Sequence, residues 1–524
     1  MELLFPQKKF GARRIMVFVR EHWLLPLLTL ALLARFYNVT QPTVWYDEAF
    51  SALVSTYSPA LIWYYSGQDV HPPLYYLLLH GWTVVFGNGV FAIRAMSVVA
   101  GVMSVALGQW LVSLIATRRA TIWACLLLAL LPIAVRYSQE VRMYALMGVW
   151  LMGATITLVY WVQDPSRQRY PVSYVVLMTA AFYTHYFAAL CVFSHWLYVS
   201  LPSKHGRFLL RPAWWLANIA IVVCYLPWIP HLMGQLSHTG AVDWIPPPSF
   251  DTLPSVIWQF LTLDDGRTLP WPLFLGLPLM VALATLAVIT RDNGPHKFHT
   301  LIALYTAAPL CTVFLISFKL PLFTTRYFVF AALGLPIILA IALDHLALRH
   351  RRLAVGCLIA LVALEVAGLY NDYTQNNKLN NSTSVLNNRV ATMVDDLNQH
   401  FIPGDQVVVY DLYWYLSVLY YNKTHTQPLL YTPPSSGGLA ARPGINGAGT
   451  LFYQHPNTYY LDRLSDLDTK ARRVWLLYGS EVKDYVPVPA SWHAVSVSTL
   501  GNTQLRLYAV ERDNDVTEKK LTEE

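Results

Sequence analysis

The chain has 524 residues, 55% of them hydrophobic and 13% charged, with a mean hydropathy of +0.39. Soluble domains carry about 25% charged residues, so this composition excludes an ordinary soluble enzyme and predicts a multi-spanning membrane protein. The formal charge of +7 is uneven, about +10 over residues 1–370 and −3 over 371–524. The basic excess therefore tracks membrane topology, and no basic stripe on a soluble face points to nucleic acid.

The apolar pattern ends near residue 370, predicting a membrane domain over 1–370 and a soluble domain over 371–512. A spanning helix needs about 20 apolar residues. Eleven crossings are predicted near 23–38, 90–115, 119–135, 140–162, 171–185, 187–202, 212–230, 271–290, 299–318, 324–346 and 352–370. The first run lacks a small-residue cleavage site and reads as an anchor. The stretch "HPPLYYLLLHGWTVVFG" (71–87) is apolar but short, bounded by Pro and Gly. With it lying flat, alternate loops carry 17 Lys and Arg on one side and seven on the other. A crossing there would destroy that bias. The positive-inside rule thus predicts a cytoplasmic N-terminus and an extracytoplasmic C-terminal domain. Multi-pass insertion in the inner (plasma) membrane is expected.

The first outer loop, within 39–89, holds "VWYDEAFS", with Asp47 and Glu48 adjacent among aromatic residues. A carboxylate within hydrogen-bond reach of a hydroxyl is a general base. Solvated loop acids beside an interfacial aromatic belt are the bland alternative. "VRYSQEVRMYA" places Arg136 and Arg142 around Tyr137 and Glu140, and "KLPLFTTRYFVF" adds Lys319, Arg326 and Tyr327. Converging arginines at a membrane boundary suit an anionic head group. Structural pairing, for instance with Glu140, explains them equally well. His185 lies in the outer turn "YTHYF". The five cysteines all fall in apolar segments, so no disulfide framework is implied. Sequons begin at Asn38, Asn380, Asn381 and Asn422.

The C-terminal part predicts a mixed α/β fold. It has a helix in "SVLNNRVATMVDDLNQHF", strands "DQVVVYD" and "RRVWLLYG", and a hairpin from "HAVSVSTL" to "QLRLYAVER" through "GNT". Residues 513–524 predict a disordered tail.

The ordered set "YDEAFS", "HPPLYYLLLHGW..FG", "AIRAMSVVAG", "YSQEVRMYAL", "THY" and "TTRYFVF" resembles the GT-C glycosyltransferases. The similarity is to bacterial relatives of protein O-mannosyltransferases and of the lipid A aminoarabinose transferase. It implies a GT-C transmembrane bundle with 71–87 as a juxtamembrane helix. It also implies a polyprenyl-phosphate sugar donor such as undecaprenyl phosphate, and inverting transfer to a hydroxyl of an envelope glycan, lipid or protein. Asp47 matches the catalytic acid and Glu48 the acid after it. The resemblance places His71, Arg94, Arg136, Tyr137, Arg142, Arg326 and Tyr327 near the donor phosphate and lipid. Tyr46 and His185 are expected to contact donor or acceptor. No equivalent of a family metal ligand is evident, and dependence on a divalent cation stays open. A lipid-linked sugar transporter or flippase is the rival reading. It predicts inverted repeats and midplane charges, neither of which the sequence displays.

Overall fold

The structure is a computed structural model. It describes residues 23–202, 208–237, 245–376, 379, 389–433, 442–453, 456–467, 470–479 and 486–511. The expected disordered tail and the sequons at Asn380 and Asn381 lie outside the described residues. The chain forms two compact units. One comprises residues 1–39, 94–227 and 242–379, and the other 40–93, 228–241 and 380–524.

The first unit is helical. Each of the eleven predicted segments coincides with helix, for example Val90–Ile115, Tyr144–Gln163, Trp271–Thr290 and Arg351–Tyr373. Among the described residues six helices are long and apolar enough to cross a bilayer, or eight if two bent pairs each count as one crossing. Leu24–Phe36 and Ala188–Ser200 have 13 residues each and Arg169–Phe182 has 14. Their short length is why the count of eleven does not follow from helix length alone.

One bent pair shows how a broken helix is accommodated in an apolar setting. Helix Arg118–Leu130 stops before Pro132, and Pro132–Ser138 continues at 51° to it. Proline has no N–H to offer the carbonyl four residues back, so Leu128 O loses its helical donor. Arg35 fills the gap: Nη2 donates to Leu128 O (3.3 Å), and Nη1 to Ala129 O (2.9 Å) and Ala31 O (3.2 Å). Unsatisfied carbonyls in a lipid-like environment cost several kcal/mol each. Arg35, counted by sequence among the outer basic residues, is thus a completely buried clamp. Gly101 makes room for it. A Cβ there would lie 2.8 Å from Arg35 Nε and 2.1 Å from Ser138 Oγ. Gln139 Nε2 then ties the far end of the break to Arg35 O and Tyr37 O.

The second unit joins the first loop to the C-terminal domain. Its six-stranded sheet has the order β3-β2-β1-β4-β6-β5. The strands are β1 Gln406–Tyr410, β2 Leu429–Tyr431, β3 Tyr460–Leu461, β4 Arg473–Gly479, β5 Trp492–Leu500 and β6 Thr503–Val510. Strands β3, β2, β1 and β4 are parallel, and β4-β6-β5 is antiparallel. The expected hairpin is β5-β6, turned by Gly501 at φ +58°. Asp405 ties the start of β1 to β4, two neighbouring inner strands of the sheet. Its buried carboxylate accepts two bonds from Arg473 (2.9 and 2.6 Å) and one from Trp475 Nε1 (2.9 Å).

The first loop contributes three helices, Tyr46–Val54, Pro59–Gln68 and Leu74–Phe86. The last covers the predicted juxtamembrane stretch. At 13 residues it rises about 20 Å, short of the ~30 Å hydrocarbon core. Its Val84, Val85 and Phe86 are exposed, as suits a helix at a membrane boundary. Helix Ile229–Leu236 packs on Pro59–Gln68, with Trp63 Nε1 donating to His231 Nε2 (3.0 Å).

Candidate active site

The predicted residues fall in both units. In the second, helix Tyr46–Val54 carries Asp47 and Glu48 in its first turn. Helical N–H groups there favour negative charge. Glu48 is buried at 1% exposure, whereas Asp47 is half-buried. The two acids therefore sit in different surroundings although adjacent in sequence. Ser51 Oγ donates to the Asp47 carbonyl (2.9 Å), tightening that turn.

The same helix is pinned to the C-terminal domain. The rings of Tyr46 and Tyr413 stack with centroids 6.1 Å apart and planes 6° apart. The backbone N–H of Val44 donates to Tyr421 Oη (2.9 Å). Phe50 meets the edge of Tyr76 at 6.1 Å, linking the helix to Leu74–Phe86. Next to that contact, Asp69 Oδ2 faces His71 Nδ1 at 3.2 Å and accepts from Tyr76 Oη at 3.3 Å. All three are buried. A carboxylate on Nδ1 fixes the imidazole ring and directs Nε2 the other way. Asp69 and Tyr76 are thus supporting residues that sequence reasoning passed over. The available signal was an acid two residues before a histidine.

Tyr413 lies two residues after Asp411, the acid that ends the segment "DQVVVYD". Asp411 caps helix Leu412–Tyr421, accepting from Tyr413 N (2.8 Å) and Trp414 N (3.4 Å). It does so at φ +71°, a region that costs a non-glycine residue about 1–3 kcal/mol. Burial pushes its carboxyl up to about 6, against the opposing pull of those two backbone bonds. The folded state therefore holds this proton more tightly than the unfolded chain. The resulting stability is fully present below about pH 4 and lost as pH rises towards 6. Unfolding of the full chain followed from pH 4 to 7 should show this decline, and Asp411→Asn should flatten it.

In the first unit, Arg136 and Tyr137 lie on the short helix after the Pro132 break, and Arg142 lies in the turn that follows. Arg136 Nη2 meets Glu140 Oε1 at 2.6 Å, and its Nε lies 3.5 Å from Asp372 Oδ1. All these groups are nearly inaccessible. Arg136 thus joins the Pro132–Ser138 helix to the end of Arg351–Tyr373, which realises the Arg–Glu pairing alternative for this residue. Arg94 Nη1 donates to Val39 O (2.7 Å), and Ser97 Oγ to Arg142 O (3.4 Å).

Arg326 and Tyr327 sit in the 3-10 turn Thr325–Phe328. Tyr327 is the centre of an aromatic group. His185 lies 5.2 Å away, Phe187 4.9 Å and Tyr144 6.4 Å, and the Arg326 guanidinium is 5.7 Å from the Tyr327 ring centroid. Tyr137 packs on Tyr144 at 5.2 Å. The structure thus gathers Tyr137, His185 and the Arg326–Tyr327 pair from three separate segments. Tyr144 and Phe187, absent from the predicted set, complete the group. Such a cluster of ring faces and edges with one guanidinium can hold an anion while presenting an apolar wall. Among the described residues no three His, Cys, Asp or Glu side chains gather as a metal site.

The apolar helices among the described residues mark a multi-pass membrane protein, and its fold is the GT-C fold of the solved structures that it matches. Residues 70–231 match the family model described as dolichyl-phosphate-mannose-protein mannosyltransferase. The chain is similar to ArnT from Cupriavidus metallidurans in its apo state. Identity is 13% and the TM-score 0.60, over 93% of this chain and 98% of that one. The same protein bound to undecaprenyl phosphate gives 12% identity and a TM-score of 0.59, over the same shares. The oligosaccharyltransferase AglB from Archaeoglobus fulgidus, in complex with an inhibitory peptide and a dolichol-phosphate, gives 11% and 0.52 over 89% of this chain and 70% of that one. No curated protein matches the chain in sequence.

Proposed function

We propose that the chain is an inverting glycosyltransferase that moves a sugar from a polyprenyl-phosphate donor to a hydroxyl acceptor on the extracytoplasmic side of the membrane. One observation carries the reading: nearly the whole chain follows a fold whose solved example holds undecaprenyl phosphate. The family-model match over residues 70–231, which takes in the end of the first loop and the helices after it, agrees with it.

In this reading the membrane domain is the catalytic body and the C-terminal domain lies outside. Asp47 takes the proton from the acceptor hydroxyl, and that oxygen attacks the anomeric carbon as the bond to the phosphate oxygen breaks. The products are the glycosylated acceptor and a free polyprenyl phosphate. Glu48 supports Asp47. Arg326, Tyr327, Tyr137 and Arg142 stabilise charge building on the departing phosphate, and Arg94 holds the backbone at Val39. His71, oriented by Asp69, contacts the donor phosphate. Tyr46 and His185 contact the sugar or acceptor.

Mass spectrometry of envelope glycans and lipids tests this in a deletion strain complemented with the wild-type or the Asp47→Asn chain. The reading expects one sugar to vanish on deletion and to return only with the wild type. An accumulated, fully glycosylated intermediate on the cytoplasmic side would instead favour a flippase.

A further inference from the structure

The second unit holds a cavity of about 460 Å³ away from the acid pair, within the roughly 300–1,000 Å³ of small-molecule sites. Its walls include Thr56, Asn88, Asp395, Tyr420, Tyr421 and Lys423. Leu53 comes from the C-terminal end of helix Tyr46–Val54 and Thr56 from the turn after it, Asn88 from the turn after Leu74–Phe86, and the rest from the C-terminal domain.

The walls are prearranged. Tyr420 Oη donates to Asn88 O (2.7 Å), and Tyr421 Oη accepts from Val44 N (2.9 Å). The two rings meet at 83° with centroids 5.0 Å apart. Each is held at its far end, so little rotamer freedom remains to be lost on binding. Asn398 accepts from Lys423 N (2.9 Å) and donates to Tyr421 O (3.1 Å), fixing the backbone that bears the lysine.

The chemistry selects a ligand class. One carboxylate and one ammonium, Asp395 and Lys423, stand beside hydroxyl and amide groups that both donate and accept. A phosphate would meet one cation and one anion, which is poor complementarity. A purely apolar chain would desolvate those polar groups without repayment. A neutral saccharide presents C–H faces to tyrosine rings and hydroxyls to the mixed polar rim. Leu53 lies six residues beyond Asp47, about 9 Å of helix rise and on a different side of the helix. The reacting hydroxyl is therefore not the part held here.

We propose that this groove binds a neutral oligosaccharide segment of the acceptor, remote from the bond being formed. Naming it the acceptor rests on the glycosyl-transfer reading; the binding itself does not.

The test uses the full chain in nanodiscs on a printed array of gluco-, manno-, galacto- and arabino-oligosaccharides of about two to six residues. Gly89 also lines the groove, lies outside the left-handed region, and has open space where a Cβ would go. Gly89→Tyr therefore fills the cavity without backbone strain. Retention of at least one oligosaccharide is expected, weakened about tenfold or more by both Gly89→Tyr and Lys423→Ala and unchanged in Asp47→Asn, a tenfold loss being the weight of one or two good polar contacts. Retention of none, or binding that survives both groove variants, overturns the proposal. Transfer activity surviving in Asp47→Asn would count against the catalytic reading alone.

Discussion

Asp47→Asn should lower sugar transfer by about a thousandfold while leaving donor binding within a few-fold of wild type. General base catalysis is worth roughly 10²–10⁴ in rate, and the amide keeps shape and hydrogen bonding while losing basicity. The structure gives a reason to separate Asp47 from its neighbour. Asp47 is half-buried in the first helical turn, whereas Glu48 is 1% exposed. Glu48→Gln should therefore act mainly by disturbing the helix, with a smaller loss of rate and a lower unfolding midpoint. A rate assay with purified protein and a polyprenyl-phosphate sugar reads both. Equal rates for Asp47→Asn and wild type would remove Asp47 from the chemistry.

The largest effect on stability is expected at Arg136. Its guanidinium faces Glu140 at 2.6 Å and Asp372 at 3.5 Å in a site almost closed to solvent. Removing one partner of a buried ion pair strands the other charge and costs about 3–5 kcal/mol. Here two carboxylates lose the same guanidinium, so Arg136→Ala belongs at the upper end. Arg136→Lys, with a point charge in place of the planar fork, should recover part of the loss. The double variant Glu140→Gln with Asp372→Asn should make Arg136→Met nearly tolerable, since no anion is then left behind. Thermal unfolding of the detergent-solubilised chain distinguishes these. If Arg136→Ala melted like wild type and lost only donor affinity, Arg136 would belong to the ligand rather than to the scaffold.

Much of the helical body was legible because a bilayer demands long apolar runs, and Val90–Ile115 and Trp271–Thr290 coincide with their predicted spans. The strands "DQVVVYD" and "RRVWLLYG" were legible for the complementary reason, short runs of β-branched, aromatic and aliphatic residues. What escaped was long-range. Pro132 announces a break, but nothing local says that Arg35, over 90 residues earlier, caps the orphaned carbonyls. Arg35 looked like one more outer cation. The seating of the first loop against the C-terminal domain, through Tyr46 on Tyr413, depends on two segments that share no pattern. The acid–histidine pair Asp69–His71 was local enough to be seen. It was passed over because loop acids are usually solvated. Arg136 offered two readings, ligand or ion pair, and no sequence pattern announces its approach to both Glu140 and Asp372.

The most direct measurement is transfer by the purified chain in nanodiscs, supplied with a radiolabelled polyprenyl-phosphate sugar and an envelope extract as acceptor source. Label should pass to an acceptor together with stoichiometric release of unglycosylated polyprenyl phosphate, both lost in Asp47→Asn. Donor that crosses the membrane with its sugar intact, and no free polyprenyl phosphate, would contradict glycosyl transfer.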